Sequence, residues 1–364
     1  MILVVYGTRP EFIKLFPVIK RLRDMSVPHF VLNTGQHGGV LSELEAELGM
    51  EPGLALEVIT LGIRDSDLLA RLISDISGTV TRIGPTQILS QGDTFTALAA
   101  SIVAFMKRIP HAHVEAGLRS FDLHRPFPEE FNRRVATLAS RLHFVPTALA
   151  KNNLLSEGIP ADSIHLVGNT IVDMVHHVCS RKSIVSRRDR LVYVTTHRRE
   201  NWGEPIRMIG KAVHGLCDAY PDHEFIWSLH PNPALERDIL ESFASVPPNL
   251  SIRRSIGYFE NLDIIARSAL ILSDSGGIQE EVACLNKDML ILRDVTERPE
   301  VVESGYAILC GNDPVRIRRE FDRLIHQNGS PRRTNPFGDG ASSVRIVDIL
   351  KWMDRTGDGK EERG

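Results

Sequence analysis

The sequence predicts an α/β fold of two parallel sheets with helices on both faces, and three observations lead there. Short β-branched runs alternate with amphipathic helical stretches through most of the chain. The alternation pauses in the charged, strand-poor stretch Ser180 to Arg190 and then restarts. At 364 residues the chain can form about two domains of roughly 150 residues, each with its own core. Parallel strands need a crossover between them, and a strand–helix order supplies one after each strand. The expected division is 1–180 and 181–340, with a last helix over 341–355 packing back on the first.

The elements follow in order. Ile2–Tyr6 reads as a strand leading to a helix from about Glu11, and His29–Asn33 as a strand leading to a helix from about Val40. Gln87–Ser90 enters a helix over Thr94–Lys107, and His111–Glu115 and Leu142–Val145 are the next strands. The second half opens with Leu191–Thr196 and continues through Phe225–Leu229, Leu270–Ser273, Met289–Leu292 and Ala307–Leu309. The loop Asn335–Gly340 precedes the last helical pattern, and the Gly- and charge-rich tail from Thr356 is expected to fray.

Composition narrows the function classes. With 43 Lys and Arg against 46 Asp and Glu, the net charge is −3. Such a chain has no bulk electrostatic means of coating nucleic acid or an anionic membrane. Its longest apolar run, Ala97–Met106, is about half of the ~20 residues needed to cross a bilayer. The N-terminus lacks the basic-then-apolar layout of a signal peptide. The four cysteines are isolated, without a CxxC pair, so free thiols and a cytoplasmic location are expected. His111 with His113, and His176 with His177, lack a metal-ligand spacing, and no metal site is expected. The sequence contains no P-loop, GxGxxG motif or GxSxG elbow.

Ligands of open parallel sheets sit beyond the carboxyl ends of the strands, so polar residues just after strands are the site candidates. After the first strand, Gly7-Thr8-Arg9-Pro10-Glu11 opens a helix, with Arg9 and Lys14 as cations beside its free N–H groups. That layout suits a phosphate or carboxylate, and equally a plain helix entry with Pro10 near its start. Asp93 follows another strand and could serve only as a helix N-cap. Glu115 ends an apolar strand, where a partnered or catalytic carboxylate is the better reading. Glu129 and Glu130 open a helix after a Pro-stiffened loop, a place that also suits acids structurally. In the second half His197 follows a strand end together with Arg198 and Arg199, and His230 repeats a strand-end histidine. The strongest local signal is Ser273-Asp274-Ser275-Gly276-Gly277-Ile278-Gln279-Glu280-Glu281, a serine and two glycines leaving N–H groups open to a pyrophosphate. Glu281 lies about one turn further in, within reach of ribose hydroxyls.

Together these segments resemble the non-hydrolysing UDP-N-acetylglucosamine 2-epimerase family. The matching blocks are GTRPEFIK (Gly7–Lys14), QGDT (Gln91–Thr94), HVEAGLRS (His113–Ser120), PFPEEFNR (Pro126–Arg133), VGNTIVD (Val167–Asp173), THRREN (Thr196–Asn201), SDSGGIQEE (Ser273–Glu281), TERPE (Thr296–Glu300) and NPFGDG (Asn335–Gly340), in family order. The resemblance implies a GT-B-like fold, two Rossmann-like domains facing across a cleft, and a homodimer that takes a UDP-sugar. It implies reversible conversion of UDP-GlcNAc to UDP-ManNAc through 2-acetamidoglucal, with no cofactor. By the same resemblance Asp93, Glu115, Glu129 and His197 are catalytic. Arg9, Lys14, Arg133, Ser275, Gly276, Gly277 and Glu281 bind substrate, and Gln36, Arg198 and His230 match part of an activator site for a second UDP-GlcNAc.

The sequence departs from that family in three places. Gly38-Gly39-Val40 stands where bacterial members carry an Arg-x-Met type sequence that helps hold the activator. Asn261 stands at an aromatic position that packs near uracil, where Tyr258 or Phe259 can compensate, and the loop Phe121–Arg125 differs from the usual one. Two other functions share the same architecture: a hydrolysing epimerase that releases ManNAc and UDP, and a GT-B-like glycosyltransferase. The GTRPE block favours the non-hydrolysing reaction over the first. Carboxylates suited to chemistry on the sugar alone favour it over the second.

Overall fold

The computed structural model describes residues 1–36, 39–58, 63–196, 198, 201–229, 233–243, 245–254, 256–327 and 333–356. The chain divides into two compact units, Met1–Met174 with Phe337–Gly364, and Val175–Pro336. In chain order the first unit contains β1 (Ile2–Tyr6), α1 (Arg9–Asp24), β2 (His29–Asn33), α2 (Gly39–Leu48), β3 (Leu54–Ala55), α3 (Asp65–Ile83) and β4 (Gln87–Gln91). It continues with α4 (Phe95–Met106), β5 (His111–Val114), α5 (Glu129–Ala139), β6 (Leu142–Val145), α6 (Ala148–Ser156), β7 (Ile164–Leu166) and α7 (Thr170–Lys182), inside which the division falls.

Its seven strands pair in the order β3-β2-β1-β4-β5-β6-β7, all parallel. The order reverses between β1 and β4, which makes their carboxyl ends the switch point where α/β sheets take ligands. Alternate residues of a strand face opposite sides. Leu3 and Val5 therefore pack with Leu72, Ile76 and Val80 of α3 and with Ala99 and Val103 of α4. Tyr6 faces the other side, its ring 5.0 Å from that of Phe12 in α1. Helix α1 begins where it does because Thr8 and Glu11 form a capping box and Pro10 lies in the first turn.

The second unit holds β8 (Leu191–Thr196), α8 (Glu204–Ala219), β9 (Glu224–Leu229), α9 (Pro233–Glu241), β10 (Leu250–Arg254), α10 (Tyr258–Arg267) and β11 (Leu270–Ser273). After these come α11 (Gly276–Cys284), β12 (Met289–Ile291), α12 (Pro299–Glu303), β13 (Ala307–Leu309) and α13 (Pro314–Ile325). Its six strands pair in the order β10-β9-β8-β11-β12-β13, again parallel, with the switch between β8 and β11. Val192, Val194, Trp227 and Leu272 fill its core against Ile209, Val213 and Leu216 of α8 and Phe321 of α13.

The last helix, α14 (Ser342–Thr356), belongs to the first unit and packs on α1. Asp173 holds its start, accepting from the backbone N–H of Ser342 (3.2 Å) and of Ser343 (2.8 Å) and from the Ser343 hydroxyl (2.6 Å). Three donors on one carboxylate at a helix N-terminus satisfy groups that would otherwise be orphaned there. The VGNTIVD and NPFGDG blocks thus meet: Asp173 closes the first, and the Asn169 N–H donates to the carbonyl of Phe337 in the second (2.8 Å).

The α/β class and the two parallel sheets are those the strand–helix alternation predicts. Three strands that the alternation did not reveal, β3, β7 and β10, all lie at sheet edges. Edge strands bury less than central ones, and only Ile164 of β7 and Leu250 of β10 are fully buried in these segments. The apolar run that marks a central parallel strand is therefore missing.

Candidate functional site

In a parallel sheet every carboxyl end points the same way, so the residues after β1, β2, β4 and β5 gather at one end of the first unit. Glu11, fully buried, ties two of these turns together. Its carboxylate accepts from the N–H groups of Gly7 (3.0 Å) and Thr8 (2.8 Å) after β1 and from the Thr94 hydroxyl (2.6 Å) after β4. Burial pushes its pKa up to about 7, against the pull of the hydrogen bonds from Thr94, Thr8 and Gly7. Gly7 has to be glycine here, because a Cβ would lie 2.1 Å from the Thr34 hydroxyl and 2.4 Å from that of Thr96. Thr96 in turn donates to Gln36 Oε1 at 2.7 Å, so Gln36 is held in the packing of β2 and α4.

Four of the sequence candidates meet as two ion pairs in this unit. Glu115, in the left-handed region at φ 64, follows β5; its Oε2 accepts from Lys14 Nζ and from Gln91 Nε2, the latter at 2.8 Å. Both side chains of the Lys14–Glu115 pair are more than nine-tenths buried. Asp93, after β4, accepts from Arg133 Nη2 at 2.5 Å, and its backbone carbonyl accepts from Asn132 Nδ2 at 2.8 Å. Gln91 and Val114 are partners in the β4–β5 register, so the two carboxylates follow neighbouring strands. Arg9 is half-buried at the first position of α1.

The geometry separates the two acids at the start of α5. Glu130 is wholly buried and braces the fold, accepting from Ser120 N–H (3.0 Å) and from Arg134 Nε (3.0 Å). Glu129 is half-buried and lies four residues before Arg133, hence on the same helix face as the guanidinium that holds Asp93. Arg119, in the same block as Glu115, is engaged elsewhere, donating from Nε and Nη2 to Glu157 at 2.7 and 2.8 Å.

Below Asp93, His113 Nε2 donates to the carbonyl of Gly92 at 2.7 Å. Burial drives the His113 pKa down to about 4, and His111 beside it is held well below its usual range for the same reason. A histidine whose folded pKa lies below its unfolded value of about 6.5 binds fewer protons folded than unfolded. Its contribution is complete above about pH 6.5 and is lost as pH falls toward 4, a change on the order of 3 kcal/mol for His113. The urea midpoint is therefore expected to drop between pH 7 and pH 5, and His113→Gln to flatten that drop. An equal slope in both proteins would show that His113 is not its source.

In the second unit the SDSGG segment is the turn from β11 into α11. Ser275 is the N-cap, and the Ser273 hydroxyl accepts from its N–H at 3.0 Å. Asp274, wholly buried, accepts from Arg198 N–H (3.0 Å) and Asn201 Nδ2 (2.8 Å), which pins the segment after β8 against this turn. A Cβ built on Gly276 would lie 2.6 Å from Arg298 Nη1 and 3.4 Å from Arg198 Nη2, so two guanidinium groups stand at the helix start. Arg298 is aimed by Glu280, which accepts from its Nε at 2.6 Å. Burial would raise the Glu297 pKa, but Arg293, Arg298 and Arg198 outweigh it and hold the group at about 2. A helix start with its dipole and two converging guanidinium groups has the chemistry that suits a dianionic group such as a diphosphate. Gly277 continues the helix start, and Glu281 lies one turn further along the same face.

His197 and His230 lie outside the described residues, as does Gly38. Nothing local in the sequence marks Arg298 or Arg293 as site residues, although Arg298 lies within the TERPE block. The available signal was positional: both arginines come shortly after the end of β12, the strand beyond β11.

A family model described as UDP-N-acetylglucosamine 2-epimerase matches residues 20–351. The UDP-N-acetylglucosamine 2-epimerase of Neisseria meningitidis is 36% identical over 367 residues, spanning 96% of this chain and 98% of that protein. That of Salmonella typhimurium is 34% identical over 371 residues, spanning 96% and 98%. The crystal structure of the Neisseria meningitidis UDP-GlcNAc 2-epimerase bound to UDP-GlcNAc superposes with a TM-score of 0.90 at 35% identity, covering 96% of this chain and 99% of that one. The Methanocaldococcus jannaschii UDP-GlcNAc 2-epimerase in complex with UDP-GlcNAc and UDP gives a TM-score of 0.83 at 34% identity, covering 96% and 99%. No helix among the described residues is long and apolar enough to cross a membrane. With a family model matched over most of its length and relatives of this identity over nearly all of it, the chain belongs to the UDP-N-acetylglucosamine 2-epimerase family.

Proposed function

We propose that the protein interconverts UDP-GlcNAc and UDP-ManNAc without hydrolysis, by eliminating UDP to 2-acetamidoglucal and adding it back with C2 inverted. The observation that carries this reading is the placing of Asp93 and Glu115 after neighbouring strands, each held by a cation that fixes its direction. A base takes the C2 proton, the C–H electron pair becomes the C1–C2 double bond, and the C1–O bond breaks toward the β-phosphate. Charge develops on that phosphate, where the N–H groups of α11 with Arg198 and Arg298 stabilise it. In the return step UDP attacks C1 and a proton reaches C2 from the opposite face. That requires a second proton-handling group, and Asp93, Glu115, Glu129 and His197 are the candidates. Elimination followed by addition is redox-neutral and calls for no redox cofactor.

Relatives crystallised with UDP-GlcNAc and UDP support a UDP-sugar as the ligand. The test is proton NMR of the protein with UDP-GlcNAc in D2O. UDP-ManNAc carrying deuterium at C2 is expected. Free ManNAc would place the chain with hydrolysing enzymes, and no turnover would overturn the reading. A homodimer in the cytoplasm is the working form proposed, and light scattering measures the assembly.

Regulation follows from the substituted loop. An activator acts only by favouring the active state over the inactive one, and so needs contacts that differ between them. With Gly38-Gly39-Val40 in place of Arg-x-Met, and Gln36 bonded to Thr96, contacts for a second UDP-GlcNAc are reduced. Reaction begun from UDP-ManNAc alone is expected to start with little or no lag. A clear lag that trace UDP-GlcNAc abolishes would show that the substituted loop retains the regulatory function.

A further inference from the structure

Asn261, the departure from the family's aromatic position, is not idle in the fold. Its Oδ1 accepts from the Tyr193 hydroxyl at 2.6 Å, and its Nδ2 donates to Glu281 Oε2 at 3.4 Å. Tyr193 is fully buried in β8, and Glu281 is buried in the second turn of α11. A carboxylate can only accept, so the amide must turn its NH2 toward Glu281 and its oxygen toward the tyrosine, whose hydroxyl must then donate. The three groups therefore have one consistent hydrogen-bond direction, running from the core of the sheet outward to the carboxylate.

Glu281 lies four residues past Gly277, on the same helix face and about 6 Å further along the axis. A diphosphate seated at Gly276 and Gly277 would carry its ribose over roughly that span, where a carboxylate accepts from the 2′- and 3′-hydroxyls. We infer that Tyr193 and Asn261 are positioning residues that fix the Glu281 carboxylate for ribose, so that the unit selects ribonucleoside over deoxyribonucleoside diphosphates. The inference rests on the reading of α11 as the nucleotide site. An aromatic side chain at 261 could pack against a base but could not orient Glu281; the amide has the opposite capacity.

Calorimetric titration of UDP, 2′-deoxy-UDP and 3′-deoxy-UDP into the full chain separates the possibilities. The wild type is expected to bind UDP about tenfold or more tightly than the weaker deoxy analogue, in line with a hydrogen bond to a charged group. Glu281→Gln should remove most of that gap. Asn261→Leu, of similar size, and Tyr193→Phe, which keeps the ring packing, should each narrow it severalfold by weakening UDP while the analogue binds as before. If Glu281→Gln removes the gap and both other variants retain it, the positioning role is overturned and the ribose site stands. Equal weakening of all three ligands in Asn261→Leu and Tyr193→Phe would reduce their role to general structure and also overturn the inference. A gap that survives Glu281→Gln overturns the ribose reading and the relay with it.

Discussion

Glu115→Gln and Asp93→Asn are each expected to abolish exchange of the substrate's C2 proton with solvent, while UDP still binds. Each substitution keeps the shape of the side chain and removes its ability to take or give a proton. Loss of a positioned acid or base lowers a rate by ~10²–10⁴. UDP binding should persist because the N–H groups and guanidinium groups at α11 belong to the second unit and are untouched. The two variants are not equal in stability. Glu115 is paired with Lys14 in a site where both side chains are more than nine-tenths buried, so the amide leaves a buried ammonium with a weaker partner. Breaking such a pair costs on the order of 3 kcal/mol. Asp93 is about a quarter exposed, so its loss should move the thermal midpoint less. The measurement is deuterium incorporation at C2 by proton NMR, with UDP titration and the thermal midpoint as controls. Near-normal exchange in both variants, with UDP bound, would remove these carboxylates from the mechanism.

How much of this was legible in the sequence depends on burial. Central strands such as Ile2–Tyr6 and Leu191–Thr196 are buried throughout, and their apolar runs gave their bounds to the residue. Edge strands such as Leu250–Arg254 mix buried and half-exposed positions and carry no comparable mark. The turns after central strands could be named from Gly, Ser and Asp alone, because those residue types are what a strand-to-helix turn beside an anion demands. Pairings across the sheet could not. That Lys14 reaches Glu115, 101 residues away, or that Arg133 rather than Arg9 holds Asp93, depends on strand order, which no local pattern encodes. The same holds for Glu11. In the sequence it is a first-turn acid, and only the β1–β4 adjacency makes it the link between two turns. Arg298 is the clearest omission. Its place at Gly276 is set by Glu280, an acid inside the same segment whose glycines stand out in the sequence.

Gly276→Val is expected to weaken UDP affinity by about 10²-fold or more while leaving the thermal midpoint nearly unchanged. The reason lies in what a side chain at 276 would meet. The nearest atoms to a Cβ there are Arg298 Nη1 at 2.6 Å and Cζ at 3.1 Å, followed by Arg198 Nη2 at 3.4 Å. All three belong to the ends of flexible side chains, which can swing aside without moving backbone. The fold therefore absorbs the change, and a substitution at a helix start alters propensity by less than about 1 kcal/mol. The site does not absorb it. Displaced guanidinium groups no longer converge on the helix start, and the branched side chain covers the N–H groups that a diphosphate would approach. Each charge-assisted hydrogen bond is worth roughly 1.5–3 kcal/mol, so loss of one or two accounts for the expected factor. Gly276→Ala should lie between the wild type and Val, because the Cβ alone already collides with Arg298. Calorimetric titration of UDP into both variants measures the series. Unaltered affinity in Val would place the diphosphate away from α11, and an equally large fall in the thermal midpoint would mean that the glycine serves the fold.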